Sequence, residues 1–303
     1  MEAGNPMGRV FVYSPHPDDE TLSMGLAMLH YIASGFDVHL VSMTSGDAEG
    51  SAYFLNGENP SGTPVVCPTP ADHPWTHSPE REGYEPLTTE GIGAARILEA
   101  RAALGAMAMV PPIKDSNGNT ITPGPVFHHV GGLHDGFGAP GQASSTAPVT
   151  REGIDAAKAV IFPFVRDYPN SFHITMSPAD HHHDHAACGI ALREIKQENP
   201  TMLGTPMFPI SRLYWTVTDG LYAADLRAAA GGTPEKPNGS IQWFNYYGSN
   251  YSSYVDHLRN RVIKAYRAWN PAAGAYGIGY HQVRSQFESN FGANASVANL
   301  FHT

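Results

Sequence analysis

The strongest constraint on the fold lies at the start of the chain. Residues 9–14 (RVFVYS) form a short apolar run of buried-strand character, and residues 20–34 then place Leu22, Leu26, Leu29 and Ile32 at helical spacing. A strand that feeds a helix through so short a loop is the opening of a βαβ unit. After Gly35 the stretch 36–44 (FDVHLVSMT) reads as a second strand, residues 90–104 as an Ala-rich helix and residues 107–110 as a short third strand. This alternation predicts an α/β fold, a mainly parallel, Rossmann-like sheet with helices on both faces. The rhythm resumes with a helix over 150–166, disturbed by Pro163, a strand over 172–177, a helix over 185–199, a strand over 212–218 and a helix over 251–269.

Two segments, 49–87 and 111–149, break the pattern. They are rich in Gly, Pro, Ser, Thr and Asn, lack a clear period and read as long loops on one rim, where function concentrates. A chain of 303 residues can remain one α/β unit, so the expectation is a single domain over 1–303 with these two insertions.

The charge balance narrows the partners. A formal net charge of −10 with only 18 Lys and Arg argues against nucleic acid and anionic membranes, which need a basic surface to displace counterions. Cys67 and Cys188 lack CxxC spacing, so neither a disulfide framework nor a thiolate metal site is indicated. No signal segment or membrane span is visible, and the expected location is the cytoplasm.

Sixteen histidines are unusual, and they cluster. The run His16-Pro17-Asp18-Asp19-Glu20 directly follows the first strand, where ligands bind in an open α/β sheet. His16 and Asp19 are three residues apart at the entrance to a helix, so an imidazole and a carboxylate can face one point and hold a divalent metal. The competing reading is a helix N-terminus stabilised by acidic residues, most credible for Glu20. A second run, His181-His182-His183-Asp184-His185, follows the strand over 172–177 and should reach the same rim. One of its histidines would complete a two-His, one-carboxylate catalytic site, leaving Asp18 and Asp184 for proton transfer and ligand support.

These motifs resemble those of the PIG-L/LmbE family of zinc-dependent N-acetylglucosaminyl deacetylases. Residues 15–20 (PHPDDE) resemble its first signature and residues 182–185 its HxDH motif. The resemblance implies one zinc per chain on His16, Asp19 and His185, with Asp18 as general base. It also implies a protonated His182 that assists the tetrahedral intermediate, with Asp184 orienting His182. Thr44-Ser45-Gly46-Asp47 resembles the loop after the family's second strand, and Leu133-His134-Asp135-Gly136 a substrate-side LxDG element, which marks Asp47 and Asp135 as substrate-binding candidates. Ser285-Gln286 resembles a C-terminal SQ. Arg96 and Glu99 resemble an RxxE helix, but Leu104-Gly105 follows about one turn early, which leaves Arg96 without a clear role.

The long loops and the aromatic C-terminal part are similar to the deacetylases of teicoplanin-type glycopeptide biosynthesis. That similarity implies hydrolysis of an N-acetyl amide on a glycopeptide pseudoaglycone, a small-molecule glycosylated substrate, with an inositol or thiol-pathway N-acetylglucosaminyl conjugate as the alternative. Trp75, Tyr84, Phe137, Trp243, Phe244, Tyr246 and Tyr247 lie in loop-like regions where they could stack on rings. Three rivals remain at this level. His16-Pro17-Asp18 with a distant His fits the facial triad of an Fe(II) oxygenase. Residues 136–141 fit GxGxxG literally, although Pro140 stands where a helix should start. A non-catalytic sugar-binding module is the third.

Overall fold

A computed structural model describes residues 7–47, 49–66, 76–178, 180–200, 213–216, 241–243, 251–279 and 300–302. Five strands form one parallel sheet: β1 (Arg9–Ser14), β2 (Asp37–Thr44), β3 (Val126–Leu133), β4 (Phe172–Met176) and β5 (Leu213–Thr216), in the order β3-β2-β1-β4-β5. The chain winds outward from β1 to β3 and then returns to β1's other side with β4. Between β1 and β4 the winding reverses, and the carboxyl ends there open a crevice that the main chain cannot fill.

The alternation of β1 explains the two layers. Val10 and Val12 join one core with α2 (Gly25–Ala33), α5 (Thr89–Met107) and the C-terminal helical segment, through Leu26, Leu29, Ala103, Met107, Tyr254 and Leu258. Phe11 and Tyr13 point the other way, into α6 (Arg151–Asp167) and α7 (His183–Glu198). The period of two in the strand thus puts helices on both faces, as expected. α5 and α6 begin at side-chain caps: Thr88 accepts the Gly91 N–H and Thr150 the Gly153 N–H.

Several expectations need correction. The helix read over 20–34 is two pieces, α1 (Asp19–Leu22) and α2. Residues 107–110 are not a strand: Met107 ends α5, residues 108–110 turn back through the Met109 N–H on the Ala106 carbonyl and the Val110 N–H on the Met107 carbonyl, and the third strand lies inside the segment read as loop over 111–149. Residues 49–87 likewise hold α3 (Glu49–Asn56) and α4 (Pro79–Glu82), and Ala52 and Leu55 of α3 pack on Ile92 and Ala95 of α5. The helix read over 251–269 is α-helical over Tyr251–His257 and Ile263–Tyr266 with a π turn at Leu258–Val262, while Trp269–Asn270 pairs with Ala275–Tyr276. Cys67, Trp75, Phe244, Tyr246, Tyr247, Ser285 and Gln286 lie outside the described residues, as does the side chain of Trp243. No helix among the described residues is long and apolar enough to cross a membrane.

Across β3, β2, β1 and β4 a row of rings, Phe127, His39, Phe11 and His173, stacks with centroids 4.6–5.3 Å apart. Burial pushes His39, His128 and His173 down to about 4, well under an ordinary imidazole. Between pH 6.5 and 4 the unfolded chain binds more protons than the folded one, so stability must fall as pH falls through that window and be unaffected by these groups above it. His173 is wholly buried, with Nδ1 on the Tyr13 hydroxyl at 2.8 Å and Nε2 on the Tyr168 carbonyl at 3.2 Å. Urea unfolding from pH 7 to 4 should therefore show His173→Gln with a shallower pH slope than wild type, by up to about 1.4 kcal/mol per pH unit. An unchanged slope would mean that His173 is not held neutral by the fold.

Candidate metal centre

His16 follows β1, Asp19 opens α1, and His185 lies in the first turn of α7 after β4, so the three arrive from both sides of the crevice. His16 Nδ1 and Asp19 Oδ2 are 3.1 Å apart, His185 Nε2 and His16 Nδ1 3.2 Å, and His185 Nε2 and Asp19 Oδ2 3.2 Å. Ligand atoms of a tetrahedral zinc with bonds of roughly 2.0–2.1 Å stand about 3.3 Å apart, so this triangle has the dimensions of one face of such a site. Hydrogen bonds account for it poorly, because three atoms in a small triangle cannot all be joined by linear N–H···O or N–H···N bonds. The donor set fits a divalent metal.

The opposite edge of each imidazole is held by a carboxylate. His16 Nε2 meets Asp184 Oδ2 at 2.9 Å, and His185 Nδ1 meets Asp180 Oδ2 at 3.3 Å. Such partners fix ring orientation and raise ligand basicity. Burial lowers the pKa of both rings, but Asp184 and Asp19 carry His16 well above the usual range, and Asp19 and Asp180 carry His185 up to about 10. Protons and a dication compete for these nitrogens, so metal uptake must release protons.

Asp184 has a different neighbourhood from the one expected. Its carboxylate accepts the backbone N–H of Gly136 at 2.8 Å and of Gly138 at 2.6 Å, and meets His16 and His183 rather than the His182 ring. The reason is local: as the second residue of α7 it faces the 136–141 turn, whose literal GxGxxG starts no helix. Gly138 is required there, since a Cβ would lie 2.3 Å from the His183 carbonyl.

His182 caps α7 by accepting the Asp184 N–H on Nδ1 at 3.3 Å. Its ring proton therefore sits on Nε2. Burial, followed by the nearby His185 and His16, pushes its pKa down to about 3, the direction that favours the neutral ring. It stacks on His185 at 4.5 Å and stands edge-on to His16 at 4.8 Å, and its ligand atom lies close to both of theirs.

Asp18 is the only non-glycine among the described residues with positive φ, at 118°. Such a conformation costs on the order of 1–3 kcal/mol and persists only where the surroundings impose it. Glu20 accepts the Asp18 N–H at 2.9 Å, and Arg96 donates to Asp18 Oδ2 at 3.1 Å, to the Pro17 carbonyl at 2.7 Å and to the Gly46 carbonyl at 3.2 Å. Burial pushes the Asp18 carboxyl up to about 8, against the pull of Arg96. A facial iron triad would need Asp18 as ligand, whereas its carboxylate is spent on Arg96 and Asp19 faces both histidines.

On the rim, Asp135 accepts the Thr44 hydroxyl, its N–H donates to Asp47 at 3.2 Å, and Asp47 also meets His134 at 3.1 Å. These two carboxylates tie the 44–47 and 133–136 segments together. Tyr84 donates to the Leu55 carbonyl, and Phe137 is buried in the α6/α7 core, so Phe137 is no stacking platform. A cavity of about 910 Å³ opens between α3, α4 and the start of α5, lined by Tyr53, Asn56, Glu58, His77, Tyr84 and Glu85. A second, of about 580 Å³, is lined by Asp47, Ile97, Leu98, Val130 and His134 and shares Glu90 with the first.

Sequence reasoning missed Asp180, although it stands five residues before His185 in the same acidic and His-rich run. It left Arg96 open, because helix spacing alone does not say what a buried guanidinium reaches.

A parallel α/β fold with two histidines and a carboxylate gathered at its switch point suits a metal-assisted hydrolase. The PIG-L family, described as GlcNAc-PI de-N-acetylase, matches residues 11–196, more than half of the chain, and the protein belongs to it. A deacetylase of Rhodococcus opacus (strain B4), named for 1D-myo-inositol 2-acetamido-2-deoxy-alpha-D-glucopyranoside, is 26% identical over 219 residues, covering 70% of this chain and 62% of the relative, just under two thirds of its length. The zinc-inhibited form of teicoplanin deacetylase Orf2 has a similar fold, with TM-score 0.51 and 13% identity over 97% of each chain. A teicoplanin complex of a deacetylase from the same pathway matches with TM-score 0.51 and 14% identity over 97% of this chain and 96% of that one.

Proposed function

We propose that this chain is a zinc-dependent N-deacetylase that hydrolyses the acetamide of an N-acetylglucosamine unit, releasing acetate and a free amine. The triangle of His16 Nδ1, Asp19 Oδ2 and His185 Nε2 beside a strained, buried Asp18 is the observation that carries this reading. These three residues would hold one zinc per chain, which when bound supplies Lewis acidity that acidifies water and polarises an amide carbonyl. In its ionised form, which the Arg96 guanidinium favours against burial, Asp18 takes a proton from the attacking water and returns one to the departing amine. Nε2–H of His182 donates to the carbonyl oxygen as negative charge develops on it. Asp184 and Asp180 hold the two imidazoles, and Asp47 and Asp135 are the substrate-side carboxylates. Residues 1–303 form one such domain in this reading, with rim segments at 49–87 and on either side of β3 within 111–149.

For the substrate we favour a glycopeptide pseudoaglycone. The chain has few cations to recognise a phosphate, and the similar folds with TM-scores of 0.51 include the teicoplanin deacetylase. The Rhodococcus relative supports a second reading, an N-acetylglucosaminyl inositol conjugate. Acetate release by the zinc-loaded protein, measured over N-acetylglucosamine, its inositol and cysteine-ligand conjugates and a glycopeptide pseudoaglycone, separates them. No release from any of these would sink the reading as a deacetylase. Shortening the 49–87 segment should raise KM for the glycopeptide about tenfold more than for free N-acetylglucosamine, a difference of roughly 1.4 kcal/mol. Equal losses on both would mean that the segment only supports the fold.

A further inference from the structure

We infer that Glu99 and Glu20 are positioning residues that seat the C-terminal segment against Asp18, making Gly279 one wall around the proposed base. The inference rests on Asp18 acting as that base. Glu99 is almost wholly buried in α5, and its two carboxylate oxygens accept the backbone N–H groups of Ile278 at 2.7 Å and Gly279 at 3.1 Å. One helical turn earlier Arg96 grips Asp18 and the Pro17 and Gly46 carbonyls. Residues three apart share a helix face, so a single face of α5 holds both the loop after β1 and the segment 278–279.

A second link runs through Glu20. One of its oxygens accepts the Asp18 N–H, and the other accepts the Tyr266 hydroxyl. Tyr266 is buried, and its ring reaches Gly279: a Cβ on Gly279 would lie 2.9 Å from Tyr266 Cδ1 and 3.3 Å from Asp18 Oδ2. The hydroxyl bond to Glu20 keeps that ring from swinging away. Asp18 is thus fixed at its N–H by Glu20 and at Oδ2 by Arg96, with Gly279 packed beside Oδ2 and Cβ. This enclosure accounts for a non-glycine residue held at φ 118°. A buried carboxylate spent on two backbone N–H groups is strong anchoring, since hydrogen bonds to a charged acceptor are about twice as strong as neutral ones.

Gly279→Ala and Glu99→Gln test the idea on the zinc-loaded full chain. The first inserts a methyl against Tyr266 and Asp18; the second sets an amide NH2 against a backbone N–H. Each should lower kcat about tenfold or more while KM and bound zinc stay within twofold, and each should speed hydrogen exchange of the amides of His16, Asp18, Asp19 and Glu20 several-fold. A kcat within twofold of wild type in both variants, or a loss that follows zinc loss or global unfolding, overturns the inference. If the wild type releases no acetate, the deacetylase reading fails by itself, and the exchange of the same amides then decides the tether: unchanged exchange in both variants refutes it.

Discussion

Asp18→Asn should keep its zinc and lose turnover by roughly 10²–10⁴-fold, the usual contribution of a positioned general base. The amide is nearly isosteric, and Arg96 can still donate to its oxygen, so the loop holding His16 and Asp19 should stay in place. Asp19→Asn is the contrast. Its carboxylate faces His16 at 3.1 Å and His185 at 3.2 Å, and a neutral amide there weakens metal binding as well as rate. Bound zinc and acetate release are to be measured side by side on both variants. Loss of zinc in Asp18→Asn with retention in Asp19→Asn would require the two roles to be exchanged.

Metal content should respond in a graded way along the histidines. His185→Ala removes a donor atom from the triangle and should leave the protein without stoichiometric zinc. Asp180→Ala and Asp184→Ala keep all three donors but release the rings they orient, and each should weaken zinc by about 10–100-fold. Asp184→Ala should also loosen the 136–138 turn, because two backbone N–H groups lose their acceptor. Competition with a chelator of known affinity gives the three values. Full zinc retention by His185→Ala would remove it from the ligand set.

Much of this protein was legible in its sequence where the signal was local. The apolar runs of residues 9–14 and 36–44 specified buried strands, and a strand's period of two decides which neighbours share a face regardless of what packs there. The three-residue spacing of His16 and Asp19 marked a shared direction, and the run after β4 marked the partner end of the crevice. The boundaries around 107–133 were misread for an equally local reason: α5 keeps its helical propensity to Met107, while β3 carries His128, His129, Gly131 and Gly132, which look like loop until they pair with β2.

Everything that depends on distance through space was left to the tertiary structure. Sequence order suggested that Asp184 serves its near neighbour His182, yet its carboxylate reaches His16, 168 positions away, because the sheet places the ends of β1 and β4 side by side. The surroundings of His182 were equally hidden: a motif gives residue types, while folding supplies the burial beside His185 and His16 that pushes its pKa down. Arg96, Glu99 and Tyr266 belong to helices that the sequence could only place on a face. The sequence alone determined the class of fold and named the candidate metal ligands, because periodicity and short spacing act along the chain. The tertiary structure alone decided which carboxylate holds which ring and what encloses Asp18, because hydrogen bonds and desolvation act only between groups that folding has brought together.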